Sequence, residues 1–243
     1  MKTIGLLGGM SWESTTSYYK AINTEVNRIL GGLHSAKIVL VSVNFEPIAQ
    51  LQVAGQWNQA AELLSQNAQQ LESAGADILL ICTNTMHKIA DEVVQEIRIP
   101  LLHIADCTAK QIQVSKLNKV ALLGTQFTME QPFYQQRLKQ AYAQTADETC
   151  SLELDILIPT PQQRQLVHQI IFEELCHGII NPESKSALIK IINQLQQQGA
   201  QGIILGCTEL ALLINAHSVD IAVFDTTLIH AKAAVEFALT ASD

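Results

Sequence analysis

The chain has 243 residues, 48% of them hydrophobic, enough for one large domain or two of about 110 residues each. Its formal net charge of −8, its pI near 5.3 and the lack of a basic run argue against a nucleic-acid surface or an anionic membrane as partner. No apolar stretch reaches the roughly 18 residues that span a bilayer. The first nine residues are too short and glycine-rich for a signal segment, and the five cysteines (82, 107, 150, 176 and 207) are odd in number and scattered, so a cytoplasmic location is expected.

Short apolar runs alternate with longer helical patterns along the chain, the mark of parallel βαβ units. Thr3–Leu7 reads as a first buried strand, closed by Gly8-Gly9 and followed by a helix over Ser14–Leu30. A strand at Lys37–Val43, a helix at Trp57–Ala74, a strand at Ile78–Cys82 and a helix at Met86–Ile97 come next. Leu101–Ile104 and Lys119–Leu123 read as strands, and Gln131–Ala143 as a helix. Leu152–Ile158 is a short apolar patch of strand length. Helices at Pro161–His177 and Lys185–Gly199, a strand at Ile203–Leu205, a strand at Ile221–Phe224 and a helix at Thr227–Thr240 complete the order.

Two segments repeat. Laid without a gap, Gly75 to Thr83 falls on Gly199 to Cys207, an offset of 124 residues. Leu6-Leu7-Gly8 matches Leu122-Leu123-Gly124 at an offset of 116. The pattern predicts two pseudo-symmetric Rossmann-like α/β domains with parallel sheets. The second copy is placed at 105–217. The last strand and helix (218–243) are expected to return to the first domain (1–104), because the first copy lacks a matching end.

Ligands of open α/β sheets bind beyond the carboxyl ends of the strands, so chemistry is sought there. Cys207 ends one copy of the repeat, beside a helix start that would favour its thiolate. Thr83 holds the same register in the other copy. Cys82 lies one residue before it, and adjacent strand residues point to opposite faces, so only one of the two is expected to face a ligand. Asn84, Thr85 and Thr208 stand where ordinary N-caps stand, and their neighbouring N–H groups suit a carboxylate. Thr125 and Thr128 occupy the mouth of the second copy. Gly8-Gly9-Met10 is either a plain tight turn or a close approach to a small ligand. Cys107, Cys150 and Cys176 read as buried filler. The seven histidines show no metal spacing; His87 and His103 read as structural or supporting residues. No metal and no cofactor is expected.

Gly8-Gly9-Met10, Asn84-Thr85-Met86-His87 and Gly206-Cys207-Thr208-Glu209 resemble the anchors of the cofactor-independent aspartate/glutamate racemase family. Cys82 to Lys88 is similar to the subgroup of broad-specificity amino-acid racemases and L-aspartate/glutamate-specific racemases. The resemblance covers nearly the whole length. It implies an active-site cleft between the halves, and two groups that work on opposite faces of the α-carbon of a free amino acid. Aligned on Asn84-Thr85 and His87, the cysteine of the family's Cys-Asn-Thr-x-His is Thr83 here. A threonine hydroxyl donates a proton but is a very weak base. In aspartate-preferring members a lysine stands where Ile171 to Gly178 places Cys176, and an arginine after the second strand is missing, with Gln52 the nearest polar candidate. The implied roles are Thr83 and Cys207 as the acid/base pair, with Asn84, Thr85, Thr125, Thr128 and Thr208 holding the carboxylate and amino group. Met10 and Gln52 line the pocket. The expected partner is a small amino-acid substrate, with a homodimer allowed for. Hydantoin racemisation, maleate isomerisation and a binding protein without turnover are the alternatives.

Overall fold

The structure, a computed structural model, describes residues 1–145 and 153–240. It divides into two units, Met1–Ile104 with His230–Asp243, and Ala105–Ile229.

In the first unit the order is β1 (Ile4–Gly8), α1 (Trp12–Leu30), β2 (Ile38–Ser42), α2 (Phe45–Val53), α3 (Trp57–Ser73), β3 (Ile78–Ile81), a 3-10 turn (Thr85–Ile89) and α4 (Ala90–Gln95). The parallel sheet runs β2-β1-β3, with Leu7 beside Val41 and Ile81. Both faces are covered, as continuous apolar strands require. Met10, Ile48, Leu64, Leu71, Leu79, Ile81 and Met86 fill one face. Ile4, Leu6, Tyr18, Ile22, Leu80 and Cys82 fill the other, together with Ala231, Ala234 and Val235 of α10 (Thr226–Leu239).

The second unit carries α5 (Ile104–Val114), β4 (Lys119–Gly124), α6 (Gln126–Glu130), α7 (Pro132–Thr145), β5 (Asp155–Leu157) and α8 (Pro161–Gln169). A π turn (Ile170–Glu174) and a 3-10 turn (Leu175–His177) continue α8; α9 (Pro182–Gln197), β6 (Gly202–Gly206), a 3-10 turn (Thr208–Leu212) and β7 (Ala222–Asp225) follow. Its parallel sheet runs β5-β4-β6-β7.

The repeat seen in the sequence is written into the hydrogen bonds. Gly75 and Gly199 both take positive φ, +89° and +98°, a conformation that costs glycine little. Asp77 N–H donates to the Thr3 carbonyl at 2.8 Å, and Gln201 N–H to the Lys119 carbonyl at 2.8 Å. Ala76 and Ala200 N–H donate to Leu71 and Leu195, each at 3.1 Å.

The chain differs from the sequence expectation at its last strand. β7 does not return to the first unit. It pairs with β6, with Ile203 opposite Val223. The first copy does have a matching end, because Leu101 bridges Leu79 in parallel at the equivalent place. The predicted strand Leu101–Ile104 is that single bridge, since the chain turns helical at Ile104. The final helix, from His230 onward, does group with the first unit. Two predicted helices are broken, at Thr85–Ile89 and at Ile170–His177. Short helices α2 and α6 are additions; Asn44 and Thr125 cap them by accepting from Glu46 and Thr128 N–H. Of the predicted patch Leu152–Ile158, Asp155–Leu157 forms a strand and Leu152 lies outside the described residues.

Candidate active site

In each unit the site residues gather at the carboxyl ends of the strands. Strand alternation decides what β3 presents. Ile78, Leu80 and Cys82 share the face packed by α1 and α10. Cys82 is fully buried, its thiol is 3.9 Å from the Leu80 carbonyl, and burial raises its thiol far above the ordinary value. Thr83 lies two residues beyond the end of β3, where its N–H turns back onto the Ile81 carbonyl at 2.9 Å, and it keeps 9% exposure. The structure therefore makes Cys82 a core side chain and leaves Thr83 at the strand end. Asn84 and Thr85 follow, both buried, at the entry of the 3-10 turn.

The backbone here is pinned from several sides. Ser14 Oγ donates to the Cys82 carbonyl at 3.0 Å. His87 Nδ1 lies 2.8 Å from the Thr83 carbonyl. Gln52 is buried and its amide contacts Met86 Sδ at 2.8 Å. Met10 is also buried, within the apolar cluster that includes Met86. The glycine pair before Met10 serves packing. A Cβ on Gly9 would stand 2.2 Å from the Val43 carbonyl oxygen, and one on Gly8 would stand 2.5 Å from Thr15. Gly9 N–H donates to Thr15 Oγ1 at 2.7 Å. The close approach is to the protein's own β2 end and α1.

In the second unit, β4 and β6 run side by side with Gly124 opposite Gly206. Thr125 accepts from Thr128 N–H at 3.2 Å, and their hydroxyls lie 3.1 Å apart. Cys207 is extended (φ −140°, ψ 130°), 7% exposed, and caps the 3-10 turn that follows. Its thiol donates to Glu209 Oε2 at 2.9 Å, and the Thr208 hydroxyl donates to the same oxygen at 2.8 Å. Glu209 is buried.

This geometry corrects the expectation of a favoured thiolate at Cys207. Burial raises its thiol well above the ordinary value, and the neighbouring Glu209 charge raises it further. A one-turn 3-10 segment offers little dipole to oppose that. Cys207 rests as a thiol aimed at a carboxylate. Cys176, in the turn after α8, is likewise raised by burial and then by Glu209. Cys107 is buried in α5, and Cys150 lies outside the described residues.

Glu209 and His87 make contacts with Cys207 and Thr83 that the sequence did not reveal. The signal for Glu209 was its place two residues after Cys207. The signal for His87 was its four-residue spacing from Thr83. Arg164 is engaged elsewhere: it donates to Glu130 at 2.8 Å and to the Pro159 carbonyl at 2.7 Å. Among the described residues no group of His, Cys, Asp and Glu has the arrangement of a metal centre. No helix among them is long and apolar enough to cross a membrane.

A family model described as Asp/Glu/Hydantoin racemase matches residues 7–234. The chain is similar to the broad specificity amino-acid racemase RacX of Bacillus subtilis, 24% identical over 238 residues that cover 96% of each chain. Among solved structures it is similar to a candidate Asp/Glu racemase from Yersinia pestis, at 50% identity and TM-score 0.87, covering 99% of this chain and 100% of that one. An aspartate racemase homologue from Pyrococcus horikoshii shows 33% identity and TM-score 0.81, covering 98% and 99%.

Proposed function

The chain belongs to the Asp/Glu/hydantoin racemase family, and from that premise we propose that it racemises a free amino acid by moving the α-proton between two side chains, without pyridoxal phosphate. The observation that carries the proposal is the Cys207 thiol held 2.9 Å from a buried carboxylate at a strand end. Thr83 occupies the same register in the other copy of the repeat.

Free amino acids lose the α-proton reluctantly, so positioning and charge stabilisation must supply most of the rate. Cys207 passes its proton to Glu209, and the thiolate so formed takes the α-proton of an L-amino acid. The Thr83 hydroxyl delivers a proton to the opposite face and recovers one from solvent, while Glu209 gives its proton up to solvent, so that every group returns to its starting state. Asn84, Thr85, Thr125, Thr128 and Thr208 hold the α-carboxylate and amino group. Met10 and Gln52 border the substrate from the first unit. Arg164 is tied to Glu130, and Cys176 stands where the family resemblance puts a lysine. A buried side-chain carboxylate without a cation is costly. Neutral or polar side chains are therefore the preferred substrates.

The test is a screen of all L- and D-amino acids for chirality change without added cofactor. Turnover of a neutral amino acid with kcat/KM about tenfold or more above that of aspartate, roughly the worth of one unmet polar group, agrees with the proposal. Aspartate or glutamate ahead of every neutral amino acid rejects the substrate class. No chirality change with any of them rejects the reaction and turns attention to hydantoins, which the family description includes.

A further inference from the structure

His87 stands outside the proposed proton path, yet both of its ring nitrogens are committed. Nδ1 lies 2.8 Å from the Thr83 carbonyl, and Nε2 lies 3.3 Å from the Ile104 N–H. A carbonyl only accepts and an N–H only donates. The ring is therefore neutral, with its proton on Nδ1 and its lone pair on Nε2. A second histidine holds the same segment. His230 Nε2 lies 2.8 Å from the Leu102 carbonyl, and its Nδ1 accepts from the Tyr18 hydroxyl at 2.8 Å. The His87 ring packs against His103 and His230, with centroids 4.5 Å and 6.0 Å away. Ile104 and His230 are the residues at which the chain leaves and re-enters the first unit.

We infer that His87 is a positioning residue for Thr83, donating from Nδ1 to the Thr83 carbonyl while its Nε2 anchors the ring on Ile104. The inference rests on the proposed role of Thr83. It assigns His87 no proton of the reaction. Thr83 lies between β3 and a 3-10 turn; Cys82 N–H still pairs with the Leu7 carbonyl and Thr83 N–H turns back onto the Ile81 carbonyl, each at 2.9 Å, which leaves the placing of the Cys82 and Thr83 carbonyls to other partners. The side-chain bonds to the Cys82 and Thr83 carbonyls take over that task. Of the two, only the bond from His87 reaches Thr83 itself, and it ties the turn to the segment that exits the unit.

The two ring nitrogens can be separated by substitution. Asparagine places an N–H donor near the δ position, and glutamine places an acceptor near the ε position. His87→Asn keeps the Thr83 contact and His87→Gln keeps the Ile104 contact. Two rates are read on each variant with L-alanine, L-serine, L-lysine and L-aspartate in D₂O: inversion, and deuterium uptake into the remaining L-enantiomer. His87→Gln should lose about tenfold to a hundredfold in the kcat of inversion, the scale of a small misplacement of a reacting group. Its KM, and the uptake that Cys207 alone supports, should stay near wild type. His87→Asn should recover most of the inversion rate. Unchanged inversion in His87→Gln overturns the inference. So does an equal fall of uptake and inversion in both variants, which marks a merely structural residue. Should the variants not fold, ¹⁵N NMR of the wild-type imidazole at neutral pH decides: the Nδ1–H tautomer agrees, and the Nε2–H tautomer or an imidazolium overturns. Absence of uptake and inversion in the wild type rejects the racemase reading itself, separately from the tautomer.

Discussion

The Cys207 thiol donates to Glu209 Oε2 across 2.9 Å, and both side chains are buried. A thiol whose ionisation is opposed by burial and by a neighbouring negative charge is a poor base unless its proton has somewhere to go. Here the opposing charge is also the acceptor. The Thr208 hydroxyl, on the same oxygen at 2.8 Å, keeps that carboxylate in place.

Glu209→Gln removes both the charge and the proton acceptor, and the two losses have opposite signs. With the negative charge gone, the Cys207 thiol should ionise at a lower pH than in the wild type. With the acceptor gone, racemisation should fall by about 10²-fold or more, the usual worth of a positioned acid/base group. The rate of alkylation against pH reads the first effect, and polarimetry reads the second. A variant that alkylates at the wild-type pH and racemises at the wild-type rate would show that Glu209 does not act on the thiol.

Cys207→Ser should also lose about 10²-fold or more in rate. Cys107→Ser should retain nearly full activity per folded molecule, since Cys107 is a buried residue of α5. Comparable losses in the two variants would reduce Cys207 to a structural role.

The repeat was legible because packing a helix onto a strand demands the same punctuation twice. Gly75 and Gly199 stand where the chain must take positive φ, and the offsets of 116 and 124 survive as equivalent hydrogen bonds. The burial of Cys82 with Ile78 and Leu80 follows the alternation of β3. The partner of the last strand was not legible. β7 and the Leu101 bridge do the same job with very different lengths, and an apolar run does not say which sheet edge it will join. The 3-10 and π turns at Thr85–Ile89 and Ile170–Glu174 were hidden because their apolar spacing passes for an α-helix. Glu209 and His87 were seen as residues but not as partners. The turn after Cys207 folds Glu209 back onto the thiol, and Ile104 reaches His87 from 17 residues away in the chain.

His230 gives the first unit a defined acid sensitivity. Burial, and then the neighbouring His87, lower its ring to about 3, against about 6.5 for an unfolded histidine. Its folded value is depressed, so the unfolded chain binds the proton first. Its full contribution to stability is present above about pH 6.5 and is lost as pH falls towards 3. The slope it adds is at most about 1.4 kcal/mol per pH unit. His230→Gln should be less stable at neutral pH but should show a shallower loss between pH 6 and 4. Urea unfolding at a series of pH values checks this, and parallel curves for the two proteins would count against a neutral buried His230.

The proposed pairing of Thr83 with Cys207 predicts an asymmetry in the reaction. In that proposal a thiolate formed beside Glu209 takes the α-proton of an L-amino acid, whereas a threonine hydroxyl is a very weak base for starting from the D side. Racemisation has an equilibrium constant of one, so kcat/KM must be equal in the two directions. The weaker group must then slow inversion both ways, while proton exchange on the Cys207 side is spared. In D₂O the L-substrate should gain α-deuterium faster than it loses optical rotation. Thr83→Cys should raise inversion more than exchange, because it puts a better acid/base on the slow side. Cys82→Ser should leave both rates intact per folded molecule and cost stability instead, since Cys82 is fully buried in the α1/α10 face of the sheet. Mass spectrometry of the recovered L-enantiomer against polarimetry measures the two rates. Exchange and inversion in step in the wild type, with Cys82→Ser stopping both and Thr83→Val neither, would move the first-unit base from Thr83 to Cys82.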